Sequence, residues 1–215
     1  MEYLKLVNKT FGIDESYIPN DLVITDNNEN NFHNYVDPTL KPQVRKVVFD
    51  HFLEMKDSAF KEAGIEILID SGYRSSKYQE EVWKYYFYKY LNMLKEKLPY
   101  EDDMIYELAK AITNKRVALP GHSEHQLGLA IDIARIKDRV YTDEMVGTFE
   151  AQWLYENATK YGFILRYPEG KEQITGYNFE PWHYRFVGTK YSPEFYNGDY
   201  LTLEEFHYGR RLKKN

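Results

Sequence analysis

Read for hydrophobic spacing, the chain changes character near Pro42. From there Val44, Val47, Val48, Phe52, Met55, Ala59 and Ala63 recur at steps of three and four, and Gly64 follows. That spacing predicts an amphipathic helix with a glycine stop. Ile65–Asp70 then reads as a strand with a mostly buried face, ending in Ser71-Gly72-Tyr73-Arg74-Ser75-Ser76. Glycine there permits a turn, and serine can cap the next helix.

A helical pattern runs from Lys77 to about Asn114, broken at Leu98-Pro99 and restarted by Glu101-Asp102-Asp103, acids suited to a helix N-terminus. Its first half carries Trp83, Phe87 and a run of tyrosines, more aromatic surface than one core stripe needs. The simplest expectation is a core face plus a tyrosine-rich outer face; the alternative is a wall that contacts substrate or a partner. Leu129–Ala134 reads as a strand, Met145–Tyr161 as a helix stopping at Gly162, Phe163–Leu165 as a strand, and another strand starts at His183. Thr202-Leu203-Glu204-Glu205 fits a capping box for a closing helix. Residues 1 to about 36 look mostly irregular, with turn chemistry at Pro19, Asn20 and Asp26-Asn27-Asn28 and a short strand at Leu22-Val23-Ile24.

Composition narrows the class. The 215 residues, 43% hydrophobic and 29% charged, suit one globular domain, 1–215, with no linker dividing it. A net charge of −6 argues against a nucleic-acid partner, and the basic run Arg210-Arg211-Leu212-Lys213-Lys214 reads as a solvated tail. Zero cysteines exclude disulfides and thiol chemistry, so any metal would be held by histidine and carboxylate. No apolar run reaches the ~18–20 residues of a membrane span, and the N-terminus lacks a signal peptide's apolar segment. The expectation is a chain that is cytoplasmic as given, or the mature part of an exported protein.

The chemistry gathers in Pro120–Ile133. His125 and Asp132 stand seven residues apart, and Asp132 is flanked by Ala130, Ile131 and Ile133. A buried acid needs a cation or donor to compensate it, and imidazole nitrogen plus carboxylate oxygen is a set that zinc accepts with a third ligand. His183, opening a strand in an aromatic segment, is the candidate third ligand. Glu180 precedes it by three residues, and the intervening Pro181 excludes a helical arrangement of the pair. Arg74 sits where a strand opens into a turn, placed to reach into a cleft. His51 reads as packed or surface, His122 as a neighbour of the metal rather than a ligand, and His33 and His207 as surface residues.

Ser71-Gly72-Tyr73-Arg74-Ser75 with Gln79, then Gly121-His122-Ser123-Glu124-His125 through Asp132, then Glu180-Pro181-Trp182-His183-Tyr184-Arg185, occur here in order. Together they resemble the VanY-type D-alanyl-D-alanine carboxypeptidases, relatives of lysostaphin-type peptidases and the hedgehog domain. The resemblance runs from about Leu4 to Val187. It implies an α+β fold: a mostly antiparallel sheet, flanking helices, and one catalytic zinc ion in a groove on the sheet. By the same resemblance His125, Asp132 and His183 are the zinc ligands, Glu180 the general acid/base, and Arg74 the cation at the scissile carbonyl. Ser123 and Gln79 fall in the substrate pocket, with Trp182 and Tyr73 as further candidate contacts.

The implied reaction is release of the terminal D-alanine from peptidoglycan stem peptides. L,D-carboxypeptidase, D,D-dipeptidase and endopeptidase activities share the motifs. A non-catalytic zinc module is the rival from another class, and Glu180 and Arg74, which zinc binding alone does not require, argue against it. The helical stretch at about 85–114 is longer than the connector typical of the family and reads as an insertion. Oligomeric state cannot be read from the sequence.

Overall fold

The computed structural model describes residues 2–25, 41–136 and 143–212, with no side chain described from Arg210 on. The turn at Asp26-Asn27-Asn28, His33 and the side chains of the basic tail lie outside the described residues.

Two short strands, β1 (Leu22–Ile24) and β2 (Gln43–Arg45), pair antiparallel. The helix α1 (Lys46–Ala63) follows directly. Gln43–Arg45 therefore belongs to a strand rather than to the helix expected from Pro42. The ladder to Leu22–Ile24 claims its backbone, and the Arg45 guanidinium is held by Asp21 at 2.8 Å and by Glu2. Helix α1 buries Val48, Phe52, Met55 and Ala59 and ends at Gly64 in the left-handed conformation (φ 66°), as its apolar spacing requires.

The main sheet has four antiparallel strands in the order β3 (Ile67–Ser71), β4 (Ala130–Arg135), β6 (His183–Phe186) and β5 (Phe163–Leu165). Its apolar face packs on α1 through Ile67, Ile69, Ile131, Ile133 and Phe163, with the ends of the chain closing around the same core. Each such side chain taken out of water contributes about 1.5–3 kcal/mol. The expected α+β architecture with a mostly antiparallel sheet is what forms.

Between β3 and β4 stand two long helices, α2 (Ser76–Lys97) and α3 (Asp102–Arg116). Ser75 caps α2 by accepting from the Tyr78 amide at 3.1 Å. The two form a hairpin with its own small core of Phe87, Leu94, Ile105 and Ala109, and Trp83 stacks on Phe87 at 5.1 Å. Tyr85 and Tyr88 are exposed, the outer face expected. Tyr78, Val82 and Tyr86 of the same helix line the cleft described below, which favours the alternative of a contacting wall for that part of the aromatic surface.

The helix expected over Met145–Tyr161 is shorter. Helix α4 spans Phe149–Asn157, with 3₁₀ turns at Asp143–Met145 and Ala158–Tyr161. Gly147 at φ 75° breaks the first turn from the helix, and the Thr148 hydroxyl restarts it by accepting from the Ala151 amide. A short helix α5 (Glu172–Thr175) precedes β6, and α6 (Leu203–Leu212) closes the chain. Its capping box is formed: Glu205 Oε2 accepts from the Thr202 amide at 2.8 Å, and Thr202 Oγ1 from the Glu205 amide at 3.1 Å.

A buried ionic cluster lies on the same face of the sheet as His183, two residues along β6. Glu124, Arg166 and Arg185 side chains are fully buried, with Glu124 2.9 Å from Arg166 and 2.7 Å from Arg185. Glu204 of α6 holds the other side of Arg166 at 2.8 Å and accepts from Asn8. Arg185 also donates to the carbonyls of Tyr3 and Lys5. Both chain ends are thus tied to β5, β6 and the turn at Glu124. Burial opposes ionisation of Glu124, but Arg166 and Arg185 outweigh it and hold its carboxyl below the ordinary 4.5.

Removing one partner strands the others in a dry interior. Glu124→Gln is therefore expected to cost about 3–5 kcal/mol in denaturant unfolding near neutral pH. A depressed carboxyl stabilises above its ordinary pKa and loses that contribution as pH falls, so the gap between wild type and variant should narrow below pH 4.5. An unchanged denaturation midpoint would refute the cluster's role.

Candidate active site

Strand β3 slips register between Ile69 and Ser71, and the chain then turns at Gly72. A Cβ at Gly72 would lie 2.2 Å from the Gln43 carbonyl, so β2 leaves room only for glycine. The Gly72 carbonyl is 2.6 Å from His125 Nδ1. That bond assigns the proton to Nδ1 and leaves Nε2 as the acceptor facing the cleft. His125 itself sits in a 3₁₀ turn, Glu124–Leu127, closed by Gly128 at φ 65°.

Asp132 and His183 are register partners on β4 and β6 and therefore share a face of the sheet. Asp132 Oδ1 stands 3.4 Å from His125 Nε2 and 3.3 Å from His183 Nδ1. One ligand atom from each of the three lies within 4.8 Å of the others. Asp132 Oδ1 is buried and has no hydrogen-bond partner among the described residues. Two imidazole nitrogens and an orphaned carboxylate oxygen converging on one point fit a divalent ion of the zinc type, with room for a further ligand.

Arg74 reaches across this set. Its Nη2 donates to Asp132 Oδ2 at 2.7 Å and stands 2.9 Å from His125 Nε2. Its Nε donates to Ser71 Oγ at 3.1 Å, and Nη1 to Gln79 Oε1 at 3.2 Å. Gln79 in turn donates to the Ala118 carbonyl, so the guanidinium is fixed in a plane. Glu180 is buried on the opposite side, its Oε2 3.4 Å from His183 Nδ1. The turn into β6, where the His183 amide bonds the Glu180 carbonyl, brings the two side chains together. Tyr167 packs its ring on His183 at 4.9 Å.

The charges are strongly perturbed. Burial, then the Arg74 cation, push His125 down to about 4. Burial also opposes the charge on His183, but Asp132 and Glu180 reverse the balance and raise it to about 9. Asp132 is held well below the ordinary carboxylate value, because His125, His183 and Arg74 outweigh its burial. Burial pushes Glu180 up.

A model of the VanY family, D-alanyl-D-alanine carboxypeptidase, matches residues 41–189. The chain belongs to this family. It is 33% identical over 96% of its length to VanXYC of Enterococcus gallinarum, a bifunctional D-Ala-D-Ala dipeptidase and D-Ala-D-Ala carboxypeptidase, and spans 94% of that protein. Among solved structures it resembles the LdcB LD-carboxypeptidase with a TM-score of 0.73 and 38% identity, covering 96% of this chain and 86% of that one. It also resembles a mutant of the vancomycin-resistance D,D-pentapeptidase VanY of the VanB-type cassette, solved in complex with Zn(II). That match has a TM-score of 0.74 and 32% identity, and covers 96% and 99% of the two chains.

Of the residues singled out in the sequence of this VanY-family chain, eight line one cleft: His125, Asp132, His183, Glu180, Arg74, Ser123, Gln79 and Trp182. Tyr73 does not. It lies between Gly72 and Arg74, and its amide bonds the Gln43 carbonyl. His122 bonds the Asn8 carbonyl at 2.8 Å through Nδ1, outside the ligand set. His51 packs at 5.1 Å on Phe186. His207 is partly buried and bonds the Leu4 carbonyl, so it is no plain surface residue. Sequence reading missed Tyr167, Tyr177 and Arg116, which also line the cleft. They come from loops and a helix end, where no periodicity marks them.

With His183 near 9 and His125 near 4, the metal-free site carries its proton on His183 at neutral pH. A dication must displace it. Titrating metal-free protein with zinc near pH 7 should release about one proton per ion, and apparent affinity should rise about tenfold per pH unit below pH 9. Calorimetry in buffers of different ionisation enthalpy measures both, and an affinity flat between pH 6 and 8 contradicts this assignment.

Proposed function

We propose that this VanY-family chain is a zinc-dependent carboxypeptidase that hydrolyses the terminal D-alanine peptide bond of peptidoglycan stem peptides or their precursors. The observation that carries the reading is the convergence of His125 Nε2, His183 Nδ1 and Asp132 Oδ1 in one cleft with Glu180 and Arg74. His125, Asp132 and His183 would hold the ion. When bound, zinc supplies Lewis-acid polarisation of a carbonyl and an acidified water. The zinc-containing VanY structure supports that choice of metal.

The chain's own residues do the rest. Glu180, dry and raised by burial, is suited to take the proton of the attacking water and return it to the leaving amine. Its position beside His183 keeps it on the cleft wall without making it one of the three converging ligands. Arg74, braced by Ser71 and Gln79, offers a fixed donor to the oxygen on which charge develops. Ser123 and Trp182 line the cleft where peptide must lie. The aromatic walls, with Tyr167 over His183, exclude water and strengthen each of these interactions.

A second reading keeps this machinery and moves the bond. The likeness to LdcB supports L,D-carboxypeptidase specificity, and the likeness to VanXYC supports added D,D-dipeptidase action. No helix among the described residues is long and apolar enough to cross a membrane.

Purified protein incubated with defined muropeptides, with and without chelator, should release D-alanine only when metal is present, and product masses identify the bond. Glu180→Gln is expected to bind zinc normally and lose nearly all turnover, whereas His125→Ala should lose the metal. Arg74→Ala should lower kcat by about 10²–10³-fold, as for loss of an oxyanion donor. Full activity in Glu180→Gln would discard the mechanism.

A further inference from the structure

The cleft has a second cationic wall that the chemistry above does not use. Two guanidinium groups line it among the described residues, Arg74 and Arg116. Arg74 is braced by Asp132, Ser71 and Gln79 and serves the reacting oxygen in the reading above. Arg116, the last residue of α3, has one ion partner among the described residues, Asp143, at 3.2 Å, and the two side chains are 42% and 62% exposed. An exposed pair of this kind is worth little and exchanges readily.

The backbone around Arg116 is nevertheless anchored. Trp83 of α2 donates to the Asn114 side chain at 2.9 Å on one side, and Gln79 donates to the Ala118 carbonyl at 2.9 Å on the other. Tyr78, Val82 and Tyr86, at steps of four along α2, pave the wall between the metal-site end and Arg116. Glu180 and the Tyr90 ring both lie within electrostatic reach of the guanidinium. A cation at a helix C-terminus also complements the dipole, which accounts for an arginine there but not for its place on the cleft wall.

We infer that Arg116 is a specificity-determining residue that binds a carboxylate of the substrate and takes no part in the bond-breaking chemistry. This rests on the carboxypeptidase reading. A guanidinium fork matches a carboxylate bidentately. In a chain of net charge −6, a cation inside the cleft decides whether an anionic peptide is attracted or repelled. Two sources share this chemistry: the α-carboxylate of the C-terminal residue, and the free α-carboxylate of a γ-linked glutamate upstream.

Steady-state kinetics on three substrate types separate them: a short Nα,Nε-diacetyl-lysyl peptide, a full stem peptide with free γ-D-glutamyl carboxylate, and the same stem peptide with that carboxylate amidated. Each is prepared ending in D-Ala-D-Ala and in L-Lys-D-Ala, to cover either bond. Arg116→Gln should raise KM about 5- to 30-fold with kcat nearly unchanged, and Arg116→Lys should recover part of the loss. A rise confined to the free-carboxylate stem peptide identifies the glutamyl group, and an equal rise on all three identifies the C-terminus. Unchanged KM on every substrate, or a fall in kcat alone, overturns the inference while leaving the activity standing. Wild-type protein inert on all of them overturns both. Matching thermal unfolding of variants and wild type shows that any KM change is not a folding defect.

Discussion

The structure turns on one costly arrangement: the charge of Asp132 held out of water on the face of a four-stranded sheet. A carboxylate buried alone would neutralise itself or unfold its surroundings. Here Arg74 takes one oxygen, and the other points at two imidazole nitrogens and at nothing else among the described residues. With His183 protonated, the site is a compensated ionic cluster; a dication in place of that proton would be met by the same three residues. Strand register and the Gly72 carbonyl place Asp132, His183 and His125 together without any metal.

Fixing them requires a second layer. His125 follows Glu124, whose carboxylate is locked between Arg166 and Arg185, and Arg185 follows His183 by two residues on the same strand. Arg166 also precedes Tyr167, the ring lying on His183. The ionic cluster therefore holds the backbone on either side of the site, and through Glu204, Asn8, Tyr3 and Lys5 it recruits both ends of the chain. Such a cluster adds little net stability over an apolar core of the same volume. What it adds here is position, since each of its members adjoins, or lies two residues from, a group in the cleft.

Much of this was legible in the sequence, for identifiable reasons. α1 announced itself by spacing, and the His125, Asp132, His183, Glu180 and Arg74 set by residue types that have few uses in combination. Asp132 looked anomalous between isoleucines only because a strand alternates faces: Ile131 and Ile133 point into the core while Asp132 points to the cleft. The helix from Met145 failed at Gly147, whose positive φ no apolar count registers. Glu124 passed as motif filling, because its partners lie 42 and 61 positions downstream and no local pattern links them.

The division of labour between sheet and hairpin follows from their separate cores. The ligands, Glu180 and the ionic cluster rest on the sheet and its loops, packed on α1. The wall formed by Tyr78, Val82 and Tyr86 rests on a hairpin stabilised by Phe87, Leu94, Ile105 and Ala109. A change in hairpin length or in its cleft-facing side chains alters the shape and charge that a peptide meets while leaving the ligand geometry alone. One chemical link between the two units is Gln79, which holds Arg74 with its oxygen and the Ala118 carbonyl with its nitrogen. Through that amide the placement of the wall is tied to the orientation of the Arg74 guanidinium beside Asp132, so the cleft wall on α2 and the charged site on the sheet share a mechanical link.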